Sequence, residues 1–133
     1  MLFRSLILAI RYDAPSMILL VEDEDRARET FARTLQRAGY GVLEAADGLQ
    51  AMSLLEKTPC DLVISDILMP NLNGYALVAR IRAKWPNLPI ILTSGFLSHD
   101  AAERMSGSVE FIPKPIDPEA LIATVQRLVP RSS

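Results

Sequence analysis

Leu62-Val63-Ile64-Ser65-Asp66-Ile67-Leu68-Met69-Pro70 reads as a buried strand that ends on an acid. Leu62, Val63 and Ile64 form a continuous apolar run with no polar face. That is the pattern of a strand covered on both sides, as in parallel sheets flanked by helices. Asp66 follows at the carboxyl end of the run, flanked by apolar residues, and Pro70 closes the stretch. Ligands of open parallel α/β sheets bind outside the carboxyl ends of the strands, so the acid stands where chemistry is expected.

Outward from this stretch the same alternation continues. Ile18-Leu19-Leu20-Val21 and Ile90-Ile91-Leu92 are further runs without a polar face and predict central strands. Val42-Leu43-Glu44-Ala45 is mixed and suits an edge, and Val109-Glu110-Phe111-Ile112 is the fifth strand. Helical stripes lie between them: Ala27, Phe31, Leu35 and Ala38, stopped by Gly39 and Gly41 around Tyr40; Leu49, Met52 and Leu55 after Asp47; and Leu77, Ile81 and Trp85, closed by Pro86. Asp117-Pro118-Glu119 opens the last helix with an N-cap acid, a proline at its first position and an acid in its first turn, ahead of Leu121, Val125 and Leu128. The short polar segment His99 to Met105 is read as the remaining helix. The expected fold is α/β, a three-layer doubly wound sheet of five parallel strands with five helices.

Length and charge narrow the function. A chain of 133 residues makes one domain with a proper core. Residues 17–129 read as that domain, with 1–16 as an N-terminal extension or misassigned start and 130–133 as a tail. The apolar run Leu6 to Ile10, closed by Arg11, is too short for a signal core or a membrane span. A net charge of -2 with no long basic run disfavours direct nucleic-acid binding. One cysteine, Cys60, and one histidine, His99, allow neither an internal disulfide nor a Cys/His metal cluster. Cys60 is read as an inert packed residue and the chain as cytoplasmic.

The carboxyl ends of the strands supply the candidate site. Glu22-Asp23-Glu24-Asp25 follows the first strand, Asp66 ends the third, Thr93-Ser94-Gly95 ends the fourth and Lys114-Pro115 follows the fifth. Asp25 is explained as a helix N-cap or a solvated loop acid. Glu22, Asp23 and Asp66 at one sheet edge would repel one another, which makes a hard divalent cation, Mg²⁺ or Mn²⁺, the plausible resident. A cation, a lysine and a hydroxyl around one carboxylate suit a transferred phosphoryl group, and the carboxylate itself can be the nucleophile.

These residues resemble the receiver domain of two-component response regulators, over Met17 to about Val129. ILLVED matches the first strand and its acidic pair, LVISDILMPNLNGYAL the phosphoacceptor strand and loop, LPIILTSGF the fourth strand and FIPKPI the fifth. The resemblance implies a flavodoxin-like strand order 2-1-3-4-5. It implies that Asp66 accepts a phosphoryl group, that Glu22, Asp23, Asp66 and the Leu68 backbone carbonyl hold the metal, and that Lys114 contacts the phosphoryl group. Ser94, before the small Gly95, takes the place of the switch hydroxyl, with Thr93 as the competing assignment. Phe111 takes that of the paired aromatic, and the Lys114-Pro115 bond is where the family usually shows a cis peptide.

The implied partners are a histidine kinase or histidine phosphotransfer protein as donor and a separate output protein, because only Pro130-Arg131-Ser132-Ser133 follows the last helix. Neither nucleic acid nor membrane is expected to bind directly; a homodimer stays open. The chain is not expected to be an enzyme beyond its own phosphorylation and dephosphorylation. Two other classes compete with this reading. A haloacid-dehalogenase-like phosphatase usually wants an acid two residues after its nucleophile, where Leu68 stands. A phosphorylation-independent adaptor would have little use for an intact Glu22, Asp23, Asp66, Ser94 and Lys114.

Overall fold

In the computed structural model, which describes residues 16–95 and 109–130, each of the five runs read above as strands is one: β1 (Met17–Val21), β2 (Gly41–Ala45), β3 (Leu62–Asp66), β4 (Ile90–Ser94) and β5 (Val109–Pro113). They form one parallel sheet in the order β2-β1-β3-β4-β5. β1, β3 and β4 are central and the mixed β2 is at an edge, as their apolar patterns predict. The described helices are α1 (Asp25–Arg37), α2 (Gly48–Lys57), α3 (Gly74–Lys84) and α4 (Pro118–Leu128). The helix expected from His99 to Met105 lies outside the described residues. So does the N-terminal extension apart from Ser16, whose carbonyl accepts the Gly41 N–H at 2.9 Å, and so do residues 131–133.

Alternation along the strands makes two cores. Leu19, Val21, Val63, Ile90 and Leu92 pack with Ala51 and Leu55 of α2 and with Leu77 and Ile81 of α3. Ile18, Leu20, Leu62, Ile64 and Ile91 pack on the opposite face with Ala32 and Leu35 of α1 and with Leu121 and Val125 of α4. This is the three-layer, doubly wound arrangement. Each fully buried Leu, Ile or Val is worth about 2 kcal/mol. An exposed pair such as Lys84–Glu56 gives less than about 1 kcal/mol, so the two apolar layers hold the sheet.

The helix ends follow local chemistry. Asp117 caps α4 by accepting the Glu119 N–H at 3.2 Å, with Pro118 in the first turn. Asp47 caps α2 through the Gln50 N–H at 2.8 Å, while Gln50 Oε1 accepts the Ala46 N–H in return. Two expectations are corrected. Of the two readings of Asp25 the N-cap is overturned, because the extended backbone ends at Glu24 and Asp25 is already helical, paired with Arg28 one turn on; its side chain is solvated, on the helix rather than in a loop. Leu49 is not on the buried stripe and is 50% exposed. At 100° per residue, Gly48, Ala51 and Leu55 share the inward face and Leu49 is turned off it.

Cys60 sits half-buried between α2 and β3, against the first core. Burial, with Asp61 adding to it, pushes its thiol pKa up, away from the reactive thiolate. Tyr40, buried beside the second core, donates its hydroxyl to the Val129 carbonyl at 2.9 Å and so ties the end of α1 to the end of α4. Tyr40→Phe is expected to cost about 1 kcal/mol in denaturant unfolding, the worth of one such bond.

Candidate functional site

β1, β3 and β5 bring their carboxyl ends together, and the acids they carry converge. Glu22, Asp23 and Asp66 each offer a carboxylate oxygen, and these lie within 4.8 Å of one another. Glu22 is 5% and Asp66 8% exposed, while Asp23 is open to solvent. Lys114, one residue past β5, reaches across the edge: its Nζ stands 2.7 Å from Asp66 Oδ2 and 3.5 Å from Glu22 Oε2. Its backbone N–H donates to the Ser94 carbonyl at 2.9 Å, extending the β4–β5 ladder by one bond. The Lys114-Pro115 peptide is cis, as the resemblance implies.

The second carboxylate oxygens of Asp66 and Glu22 are tied to backbone. Asp66 Oδ1 accepts the Leu68 N–H at 3.3 Å, and Glu22 Oε1 accepts the Glu24 N–H at 3.3 Å. The Leu68 side chain, in contrast, is 65% exposed. Thr93 and Ser94 are both buried. Ser94 follows Ile90 and Leu92 in strand parity and lies on the face where Phe111 packs, whereas Thr93 follows Ile91 on the other face. That parity puts Ser94 rather than Thr93 with Phe111.

Burial raises the Glu22 pKa most; Lys114 opposes this, Asp66 adds to it, and the Glu24 N–H and Asp23 contribute smaller, opposing effects. For Lys114 burial works against the charge, but the hydrogen bond to Asp66 and the attraction of Glu22 and Asp66 outweigh it and raise the pKa. The ammonium is therefore secure at neutral pH. Three acids around one ammonium make an oxygen-only donor set in which carboxyl groups outnumber the cation. That chemistry fits a hard divalent cation.

Other residues shape the site without signals of this kind. Gly74, at the start of α3, leaves room for the chain after β3: a Cβ there would lie 2.7 Å from the Asp66 carbonyl oxygen and from Ile67 Cα. Its N–H donates to the Ile67 carbonyl at 2.8 Å. Asn71 takes a left-handed φ of 68° within this loop, and its amide donates to Asp47 Oδ2 at 3.1 Å. The only advance sign was a glycine at the start of a helical stripe and an asparagine in a Pro-Asn-rich loop. Arg28, whose guanidinium reaches the Glu22 carbonyl, gave no sign beyond its position in α1.

A family model described as the response regulator receiver domain matches residues 18–126. Among curated proteins, a segment of the sensor kinase CckA of Brucella abortus (strain 2308) is 35% identical over 116 residues, covering 84% of this chain and 12% of that protein. The response regulator MprA of Mycobacterium sp. (strain KMS) is 33% identical over 121 residues, covering 90% of this chain and 53% of that one. The chain thus spans from about a tenth to about half of these relatives. Among solved structures, the Vibrio cholerae chemotaxis protein CheY4 superposes with a TM-score of 0.81 at 31% identity, covering 87% of this chain and all of that one.

Proposed function

Since the chain belongs to the response regulator receiver domain family, we propose that Asp66 is its phosphoacceptor and that phosphorylation of Asp66 switches a surface read by another protein. The observation that carries this reading is the meeting of Lys114 Nζ with Asp66 Oδ2 at 2.7 Å, inside the cluster of Glu22, Asp23 and Asp66.

In this reading an Asp66 carboxylate oxygen attacks the phosphorus of a phosphohistidine. The P–N bond breaks, its electron pair returns to the imidazole nitrogen, and an aspartyl phosphate remains. Lys114 sits where its ammonium can neutralise a phosphoryl oxygen. Glu22 and Asp23, with Asp66 and the Leu68 carbonyl, would hold Mg²⁺ or Mn²⁺, which when bound supplies charge neutralisation for the transferred group. The Ser94 hydroxyl would turn to the new phosphoryl oxygens, and Phe111, with no hydroxyl of its own, would follow by packing into the space released.

The donor would be a histidine kinase or histidine phosphotransfer protein and the reader a separate output protein. With Leu68 in place of an acid two residues after Asp66, the site offers no second carboxylate there for a haloacid-dehalogenase-like hydrolysis. A cytoplasmic location goes with these partners; no helix among the described residues is long and apolar enough to cross a membrane.

The test is incubation with acetyl phosphate, with and without Mg²⁺, followed by the intact mass. The expected result is a gain of one phosphoryl group that requires Mg²⁺. A chain that gains none from acetyl phosphate, nor from a phosphorylated histidine phosphotransfer protein, overturns the reading.

Mg²⁺ affinity should also depend on pH with a definite sign. Because burial raises the Glu22 pKa above the ordinary 4.5, Glu22 binds its proton more readily than an exposed glutamate does. Mg²⁺ must displace that proton, so calorimetric titration is expected to show weaker binding as pH falls from neutrality towards 4.5.

A further inference from the structure

The carbonyl of Glu22 lies one residue beyond the last paired position of β1, where Val21 stands against Ala45 and Ser65. No neighbouring strand donates to it there, and a backbone carbonyl beside a buried side chain needs a donor. Arg28 supplies one: its Nη1 donates to the Glu22 oxygen at 2.7 Å. The same guanidinium is aimed from two further sides. Nη2 meets Asp25 Oδ1 at 2.7 Å, and Nε faces Glu44 Oε1 on β2 at 3.6 Å. The Arg28 side chain is only 17% exposed, although Asp25 is 81% and Glu44 41% exposed. It is therefore packed along its length and held at its head, unlike a solvated surface arginine.

A peptide unit is planar, so fixing the Glu22 carbonyl fixes the plane that joins Glu22 to Asp23. The unit before it is already pinned, because the Glu22 N–H donates to the Ala45 carbonyl at 3.0 Å. Glu22 Oε1 is held by the Glu24 N–H at 3.3 Å. The direction in which Asp23 leaves the strand is thus set by the plane that Arg28 holds. A planar fork spreads its donors in fixed directions towards a carbonyl and two carboxylates, whereas the donors of a lysine radiate from one compact, rotating ammonium.

We propose that Arg28 is a positioning residue for the divalent-cation site: by gripping the Glu22 carbonyl it sets the angle between the Glu22 and Asp23 carboxylates. The inference rests on the reading of Glu22, Asp23 and Asp66 as metal ligands. It adds that ligand geometry is controlled from α1 and β2, by groups that touch neither the metal nor the phosphoryl group.

The test is calorimetric titration of Mg²⁺, without any phosphodonor, into the wild type and into Arg28→Gln, Arg28→Lys and Arg127→Gln. Thermal unfolding of each without Mg²⁺ shows that it is folded at the titration temperature. Arg28→Gln is expected to weaken Mg²⁺ about tenfold, the lower end of what loss of an outer-shell partner does. Arg28→Lys, which keeps the charge and a compact ammonium but not the fork, should fall between it and the wild type. Arg127→Gln removes an exposed pair with Glu110 away from the site and should bind as the wild type does. A merely structural Arg28 would lower the unfolding temperature and leave the dissociation constant alone; folded Arg28→Gln binding Mg²⁺ like the wild type overturns the inference. Should Arg28→Gln not fold, unweakened binding by Arg28→Lys overturns it equally. A wild type that binds no Mg²⁺ defeats the metal reading itself, and the inference with it.

Discussion

Asp66→Asn is expected to gain no phosphoryl group from acetyl phosphate and Mg²⁺ under conditions in which the wild type gains one. The substitution is nearly isosteric and leaves the buried end of β3 filled. It replaces an anionic oxygen by a neutral carboxamide, which is a poor nucleophile towards phosphorus. It also disturbs the local bonding in a definite way. Asp66 now accepts on both oxygens, from Lys114 Nζ at 2.7 Å and from the Leu68 N–H at 3.3 Å. An amide has a single oxygen, so it can serve one of these donors and must turn an NH₂ towards the other. Lys114 has the stronger claim, being charged and closer. The Leu68 N–H is then left facing a donor, and the loop after β3 loses one of its ties.

The same substitution removes one of three carboxylates from the cluster. Mg²⁺ is expected to raise the unfolding temperature of the wild type, and that rise should shrink in Asp66→Asn, since a ligand that binds only the folded state stabilises more the tighter it binds, as the logarithm of its concentration over its dissociation constant. Intact mass and thermal unfolding with and without Mg²⁺ check both outcomes. An Asp66→Asn protein that still gains one phosphoryl group would place the acceptor elsewhere.

Most of the scaffold was legible because its signals are strong and local. Leu62-Val63-Ile64 and Ile18 to Val21 have no polar face, and a strand of that kind can only sit inside a two-sided sheet, where both are found. The acids and the lysine were legible as candidates because the fold rule sends ligands to the carboxyl ends of the strands, and the fold brings Glu22, Asp23, Asp66 and Lys114 together there.

What was not legible concerns contacts between backbone groups and residues distant in sequence. Leu49 looks apolar and periodic, yet its place in the first turn of α2 rotates it away from the sheet. Asp25 looks like a cap because the position where extended backbone turns helical cannot be seen to within one residue. Arg28 looks like any arginine on a helix, because nothing in its neighbours announces that the Glu22 carbonyl lies beyond its strand ladder. Sequence patterns report which face a side chain prefers. They do not report which carbonyl is left without a donor.

Gly74→Ala carries that lesson to a stability measurement. On helix propensity alone the change should help slightly, by less than the roughly 1 kcal/mol that favours alanine over glycine in a helix interior, because Gly74 is the first residue of α3. The surroundings decide otherwise. The added methyl would stand 2.7 Å from the Asp66 carbonyl oxygen and 2.7 Å from Ile67 Cα, both backbone atoms that no rotamer change can remove. To make room, α3 must shift away from β3, which strains the Gly74 N–H bond to the Ile67 carbonyl and opens the first core next to Leu77. Overpacking of this kind costs about 3 kcal/mol, which outweighs the propensity gain. Gly95→Ala is the control, because a methyl there meets nothing within 4 Å, and it should change stability by less than about 0.5 kcal/mol. Denaturant unfolding compares the two. Because the displaced atoms belong to Asp66 and its successor, Gly74→Ala should also slow phosphorylation where it remains folded, while Gly74→Ala as stable as Gly95→Ala would mean that the chain after Asp66 yields more easily than its contacts imply.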